Sequence, residues 1–355
     1  MISFWAKVVT LPYAGVLWLR NACYDFGLIK SIRPDIPTLC LGNIAAGGTG
    51  KTPHTELVLR LCGQDIPVAV LSRGYGRKSR GFRYVSVDDG VADVGDEPLQ
   101  IKRKFPGVVV AVDRNRINGV QRIQHDYPHI RLVVLDDAFQ YRKLDSSFSI
   151  LLTPWPRPFT RDTLLPLGRL RDLPAQARRA DMIMVTKTPP SVTAAEREEQ
   201  CKLLKPSSAQ PLLFSSYTYG PPTPLFPQAH TGDAASNRFH TVLAITGIAH
   251  PEPFLVHIEQ QAKILEHLNF PDHHVFTKKD AARINALQAK YPGIPVYTTE
   301  KDAIRLFQTP DLTPQTQAML WYIPICVVFC SSDEERRFVA MIHDLCCFEY
   351  NVLPL

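Results

Sequence analysis

The sequence predicts an α/β fold of the P-loop NTPase type, a mostly parallel sheet with helices on both faces, with a smaller C-terminal α/β unit after it and an N-terminal amphipathic helix before it. Three observations carry this. A glycine-rich loop, "AAGGTGKTP" at residues 45–53, lies between a strand-like and a helix-like run. Short apolar runs alternate with helical patterns along the chain. One of these runs, Leu132-Val133-Val134-Leu135, ends in Asp136 and Asp137. With 355 residues, 45% of them apolar and 21% charged, the chain is long enough for one large or two fused domains with a real core.

The first part, residues 1–30, reads "MISFWAKVVTLPYAGVLWLRNACYDFGLIK". Its uncharged stretch from Val8 to Leu19 lies between Lys7 and Arg20 and contains Pro12. That is shorter than the roughly 20 apolar residues a bilayer crossing needs. Two readings stay open: a helix lying in a membrane interface with Lys7 and Arg20 at the headgroups, and a helix packed on the domain's own core.

The loop comes next. Thr38-Leu39-Cys40-Leu41, after Pro37, has the pattern of a buried parallel strand. The P-loop pattern asks for Gly, four residues, then Gly-Lys-Ser/Thr; Gly50, Lys51 and Thr52 comply, and Ala45 stands at the first Gly position. Gly47, Gly48 and Gly50 still let the backbone turn its N–H groups around an anion. Thr52-Pro53 open a helical segment running to Cys62, with Gly63 as its stop. Ala45, Ala46, Gly47, Gly48, Thr49, Gly50, Lys51 and Thr52 are thus expected to cradle a nucleotide's phosphates. Lys51 would reach the outer phosphates and the Thr52 hydroxyl would bind Mg²⁺.

Val68 to Leu71 reads as the next strand and ends in "SRGYGR" (Ser72 to Arg77), a polar loop at a strand's carboxyl end, where ligands gather in open α/β sheets. Val108 to Val112 is another apolar run, followed by Asp113-Arg114 and a helical stretch. The strand ending in Asp136 and Asp137 can meet the loop strand within one sheet, which would bring these acids to the metal beside Thr52. Further strands are expected at Ser149–Leu152, Met182–Val185, Leu212–Phe214 and Val242–Ile245. The Pro- and Arg-rich connection from Thr153 to Ala180 is too long for an idle turn and is expected to cover a site. A Pro-, Ser- and Thr-dense stretch between Pro206 and Asn237 suggests a boundary, dividing the rest into 31–220 and 221–355.

Gly95-Asp96-Glu97-Pro98 has the spacing of a helix cap, and on spacing alone capping is the plainer reading. A kinase, however, needs a carboxylate or imidazole to orient and deprotonate the attacking hydroxyl. Asp272-His273-His274 offers such imidazoles, and no Cys or His partner lies at zinc-ligand spacing. The net charge of +6, without a long basic run, suits an anionic partner or a membrane surface better than readout of nucleic acid. Eight cysteines without a CxxC pair or a signal-peptide pattern point to reduced thiols. GTP is disfavoured because Val185-Thr186-Lys187-Thr188-Pro189 has Pro where the guanine-reading Asp of [NT]KxD would stand, and Ala46 replaces the signature Lys of the partitioning ATPases. An ATP-driven switch without an acceptor remains the competing class.

The ordered motifs "GNIAAGGTGKTP", "LSRGYGR", "GDEP", "VDRNR", "LDDAFQY", "LLPLGRLRD", "ITGIAHP", "FPDHH" and "TEKDAIRL" make the chain resemble the tetraacyldisaccharide 4′-kinase family, the lipid A 4′-kinases, from the N-terminus to about Leu306. The resemblance implies a peripheral or monotopic enzyme on the cytoplasmic face of the bacterial inner membrane. It would transfer the γ-phosphate of ATP, with Mg²⁺, to the 4′-hydroxyl of a tetraacylated glucosamine disaccharide 1-phosphate. No nucleic acid and no obligate protein partner are implied. The resemblance makes residues 31–220 the kinase core and 221–355 the part that completes its cleft. It implies Asp96 and His273 as a catalytic pair acting with Lys51, overriding the capping reading, and leaves His274 as the alternative imidazole. It gives the Walker B role to Asp136 and Asp137, and makes Arg73, Tyr75, Arg77, Arg114, Gln140 and Arg171 phosphate or substrate contacts. Three departures stand out. The family's LDDGFQH appears as Leu135-Asp136-Asp137-Ala138-Phe139-Gln140-Tyr141, without the His. Its GxLRE appears as Gly168-Arg169-Leu170-Arg171-Asp172, one methylene shorter at the acid. Beyond Leu306 the Cys-rich C-terminus matches no motif of the family.

Overall fold

The computed structural model describes residues 4–63, 65–229, 239–272 and 274–347, so His273 lies outside the described residues. Helix α1 (Phe4–Asp25) is followed by β1 (Thr38–Gly42), whose five residues are all buried, as an inner parallel strand requires. The glycine loop then feeds α2 (Lys51–Cys62), which stops at Gly63, where φ is 56° and the N–H returns to Leu59 O. Next come β2 (Val68–Ser72), β3 (Arg83–Tyr84), α3 (Val91–Val94), α4 (Asp96–Lys104) and β4 (Val109–Val112). They lead to α5 (Arg116–Asp126), β5 (Leu132–Asp136), β6 (Phe148–Pro154), β7 (Met182–Thr186), α6 (Ala194–Leu204) and β8 (Leu212–Tyr219). A second series holds β9 (Thr223–Pro224), β10 (Thr241–Thr246), α7 (Glu252–Glu259), β11 (Lys263–Asn269), α8 (Lys278–Lys290), β12 (Val296–Thr299), α9 (Glu300–Leu306), α10 (Pro314–Met319) and β13 (Leu320–Ile323). β14 (Ile325–Phe329) and α11 (Ser332–Cys347) are the last elements described.

The large sheet has nine strands in the order β14-β8-β7-β6-β1-β5-β2-β4-β3, parallel except for its two edge pairs. β1 lies between β5 and β6, with Leu41 opposite Asp136. This register sets the end of the loop strand beside the acid-ended strand, at the point where the sheet order reverses and a crevice opens. Alternate side chains face opposite layers. Leu39, Leu41, Val70 and Val134 pack under α2, α4 and α11, while Cys40, Leu71, Val133 and Leu135 pack under α1 and α5. The smaller sheet has five strands, β11-β10-β12-β13-β9, with Leu243, Ile245, Phe270 and Ile284 on one face and Val242, Phe254 and Trp321 on the other.

Two expectations need adjusting. β8 runs to Tyr219 rather than ending at Phe214, and after β13 the chain returns to the large sheet. β14 pairs antiparallel with β8, and Phe338, Ile342 and Leu345 of α11 bury themselves beside the α2 side of the core. The small sheet therefore accounts for 223–323, and not for all of 221–355. The reason is apolar area: without β14 and α11, one edge of the large sheet and the part of the α2 side that α11 covers would be open to water.

The connection from Thr153 to Ala180 lies along the glycine loop. Its segment 169–171 runs along the entry to the glycine loop, with Ala46 N–H donating to Arg169 O at 2.6 Å and Arg171 N–H to Ile44 O at 2.8 Å. Helix α1 buries Leu17 and Asn21 against the large domain and leaves Leu11, Val16, Trp18 and Leu19 exposed. Among the described residues no helix is long and apolar enough to cross a membrane.

Candidate active site

Gly50 caps α2 in the left-handed region, with φ 95°, and no side chain caps the first turn. The N–H groups of that turn are thus left for an anion, and the helix dipole favours one there. Gly47, at φ 102°, makes the sharp turn before it. Ala45 and Ala46 belong to an extended lead-in paired with residues 169–170, and neither has a positive φ, so the missing first glycine costs nothing. The loop is braced from below. Asn43 donates through Nδ2 to Thr49 Oγ1 and accepts from Arg171 at Oδ1, Gln140 Nε2 donates to Asn43 O, and Thr186 Oγ1 donates to Thr49 O at 2.9 Å.

The two aspartates after the β5 run play different parts. Asp137, at φ 50°, accepts from Arg171 at 2.8 Å and lies 3.8 Å from Lys51 Nζ. Burial pushes its carboxyl up, but Lys51 and Arg171 outweigh burial and hold it below the usual range. Asp136 is buried and accepts from Ser72 Oγ at 3.1 Å through Oδ2, while its Oδ1 meets no hydrogen-bond donor among the described residues. Burial raises its pKa, with Lys51 opposing. Glu97 faces the same space. Burial, then Asp136 and Asp96, push it up to about 7.

A buried carboxylate oxygen without a partner, beside a lysine and a helix N-terminus, fits a divalent cation. Among the described residues no three His, Cys, Asp or Glu side chains form a metal cluster. Mg²⁺ in a nucleotide site takes several of its ligands from phosphates and water and only one or two from protein carboxylates.

Asp96, at the head of α4, accepts from Arg305 Nη2 at 2.5 Å. Arg305 also reaches Asp302 at 3.2 Å, and Asp302 accepts from Gly247 N–H at 2.8 Å. Gly247 in turn abuts Pro271 and His274: a methyl group built on it would lie 3.4 Å from Pro271 O and 3.6 Å from His274 Cβ. "GDEP", "TEKDAIRL" and "ITGIAHP" are thus joined through Asp96, Arg305, Asp302 and Gly247. His274 is engaged elsewhere, 3.0 Å from Asp280 through Nε2 and stacked on Phe270.

A sequence model of the tetraacyldisaccharide-1-P 4′-kinases, LpxK, matches residues 2–345. The chain belongs to the tetraacyldisaccharide-1-P 4′-kinase family. It is 39% identical to the tetraacyldisaccharide 4′-kinase of Phocaeicola vulgatus over 351 residues, 97% of this chain and 95% of that one. It is 40% identical to that of Parabacteroides distasonis over 336 residues, 91% and 89% of the two chains. A crystal structure of LpxK from Aquifex aeolicus in complex with ATP shares the fold, with a TM-score of 0.71 at 24% identity over 96% of this chain and 99% of that one.

The remaining residues expected at a 4′-kinase site fall into three groups. Arg73, Tyr75 and Arg114 stand exposed at the carboxyl ends of β2 and β4, with Tyr75 70% exposed. Arg77 is buried and donates to Gly81 O at 2.6 Å, so its guanidinium holds its own loop. Gln140 and Arg171 brace the glycine loop. Asp172 is bound to helix α1, its Oδ1 accepting from Asn21 Nδ2 at 2.8 Å. Four residues escaped the sequence reading. Glu97 was overshadowed by Asp96. Arg116 is buried and donates to Asp136 O at 3.3 Å, and its signal was its place two residues after Arg114 at a strand end. Lys187 and Arg169 lie over the loop: methyl groups built on Gly48 and Gly47 would sit 3.8 Å from Lys187 Nζ and 3.7 Å from Arg169 Nη1. The Lys187 segment had been weighed only as a failed guanine motif.

Proposed function

We infer that this chain transfers the γ-phosphate of ATP to the 4′-hydroxyl of a tetraacylated glucosamine disaccharide 1-phosphate, the lipid A 4′-kinase step. The observation that carries the reading is the partnerless, buried Asp136 oxygen beside Lys51 and the open first turn of α2, in a chain that matches the kinase family almost end to end. In this reading the loop N–H groups and Lys51 hold the triphosphate in line with the acceptor. Mg²⁺, when bound, neutralises phosphate charge, and Thr52 and Asp136 would hold it, with Asp137 and Glu97 close by. Arg305 fixes the orientation of Asp96, which acts with His273 to orient and deprotonate the attacking hydroxyl. Arg73, Tyr75 and Arg114 meet the acceptor.

The test is a labelled γ-phosphate assay with the disaccharide 1-phosphate in mixed micelles. Asp96→Ala and His273→Ala should each lower kcat far more than ATP affinity, and the double variant should be little worse than the worse single one, since residues acting as a unit lose their effect together. Losses that multiply would refute the pair, and ATP hydrolysis at an undiminished rate without lipid would favour the switch class.

The acceptor is anchored by four acyl chains, so the enzyme works at a membrane surface, on this reading the cytoplasmic face of the inner membrane. The exposed Leu11, Val16, Trp18 and Leu19 of α1, with Phe26 and Leu28 after it, form the apolar face that would enter the acyl boundary. Replacing Leu11, Trp18 and Leu19 by Ser should abolish sedimentation with anionic vesicles and leave ATP binding intact. Unchanged sedimentation would place the contact elsewhere.

A further inference from the structure

Helices α4 and α9 pack against each other in opposite directions, and an ion pair closes each end. At one end Asp96 of α4 meets Arg305 of α9 at 2.5 Å; at the other, Lys104 of α4 meets Glu300 of α9 at 2.6 Å. Each charge sits at the helix end whose dipole favours it. The second pair has a third member. Lys104 Nζ is also 2.6 Å from Glu56 Oε2 of α2, and Gln100, one turn earlier on α4, donates to Glu56 Oε1 at 2.9 Å. Glu300 uses its other oxygen to accept from Ile325 N–H of β14 at 3.3 Å. The Glu56 and Glu300 side chains are only 3% and 10% exposed.

One ammonium thus joins three helices, each of which carries part of the site. α2 begins at Lys51, α4 begins at Asp96 and Glu97, and α9 holds Arg305 and Asp302, which bind Asp96 and the Gly247 loop. A straight helix of nine residues passes a displacement at one end to the other, about 12 Å away. A shift of about 1 Å between reacting groups can cost on the order of a hundredfold in rate.

We propose that Lys104 is a positioning residue for phosphoryl transfer: by binding Glu56 and Glu300 at once it locks the small domain against the phosphate-loop helix and sets the distance from the nucleotide phosphates to Asp96. This rests on the reading of Asp96 as catalytic. Lys104 touches neither substrate. It acts by removing the freedom of α4 and α9 to slide against α2, and the two carboxylates around it resist any arrangement that takes the cation away, because each would be left buried and unpaired.

The test compares Lys104→Met, Lys104→Arg, and Lys104→Met combined with Glu56→Gln and Glu300→Gln, in the full chain with ATP and disaccharide 1-phosphate. Lys104→Met should lower kcat by about tenfold or more while KM for ATP stays within about threefold, since the phosphate loop itself is untouched. Lys104→Arg, whose fork can serve both carboxylates, should recover most of the rate. The triple variant removes the stranded charges and should recover the melting temperature without recovering kcat. If kcat returns with stability in the triple variant, or if KM rises while kcat holds, Lys104 is structural only and the proposal falls. Asp96→Asn separates the two layers. If it is inactive while Lys104→Met turns over normally, only the positioning role is lost; if it turns over normally, the catalytic reading of Asp96 is lost and the proposal with it.

Discussion

His54 shows at the scale of one residue how the phosphate loop is kept in shape. Its Nδ1–H donates to Gly50 O at 2.8 Å, and its Nε2 is hydrogen-bonded with Ser215 Oγ at 2.9 Å. Burial lowers its pKa to about 4. The unfolded chain holds a proton on this ring below about pH 6.5 and the fold does not, so the stability it contributes is complete above that pH and is lost as pH falls toward 4. Urea unfolding should therefore show a decline of roughly 2–3 kcal/mol from this residue between pH 7 and pH 4, and His54→Gln should flatten that part of the profile. An unaltered pH profile in the variant would mean that the ring gains its proton without unfolding. Lys51, Thr52, Asp136 and Asp137 could be read from the sequence because a phosphate loop and an acid-ended strand impose fixed spacings. Lys187 could not, since it reaches the loop by the order of strands in the sheet, which no local pattern records.

At the scale of elements, α1 and the 153–180 connection were both visible as segments, but their mutual contact was not. Asp172 is fully buried, accepts from Asn21 of α1, and has Arg179 at 4.0 Å. Arg171 beside it chelates Asp137, and Tyr13 of α1 donates to Arg171 O at 3.1 Å. The shortened acid of the GxLRE pattern thus ties the N-terminal helix to the strap over the phosphate loop. Asp172→Ala would leave Asn21 Nδ2 without its acceptor and Arg179 without its nearest carboxylate and should cost about 2–4 kcal/mol in chemical denaturation, with Asp172→Asn costing much less. If Asp172→Ala instead keeps its stability and raises the Mg²⁺ concentration needed for activity, the acid belongs to the metal after all. The open choice for α1, core packing or interface, had no resolution in periodicity because the helix has both an inner face, with Leu17 and Asn21, and an apolar outer one.

For the whole molecule, the alternating pattern announced the parallel sheet and the smaller unit, yet the return of the chain was silent. β14 pairs with β8 across a large separation in sequence, and "CVVFCSS", which closes a sheet edge and leads into α11, carries no local motif that announces this. A chain ending at residue 324 should therefore fail to give a soluble kinase core: it strips Phe338, Ile342 and Leu345 from the α2 face and opens the β8 edge. Circular dichroism and size exclusion would check this, and a folded monomer would overturn it. The same return fixes how the small domain can move. The chain crosses between the sheets twice, near Gly220 and at Pro324, and the crossings lie side by side, with Gly220 N–H donating to Pro324 O at 2.9 Å. Two tethers one strand spacing apart, about 4.8 Å, behave as a door hinge. Sliding or twisting would stretch one tether against the other, and Pro221, Pro222 and Pro324 add stiffness. Rotation about the line joining the two tethers strains the connection least, and the ion pairs of Lys104 and Asp96 hold that rotation at the one position seen here.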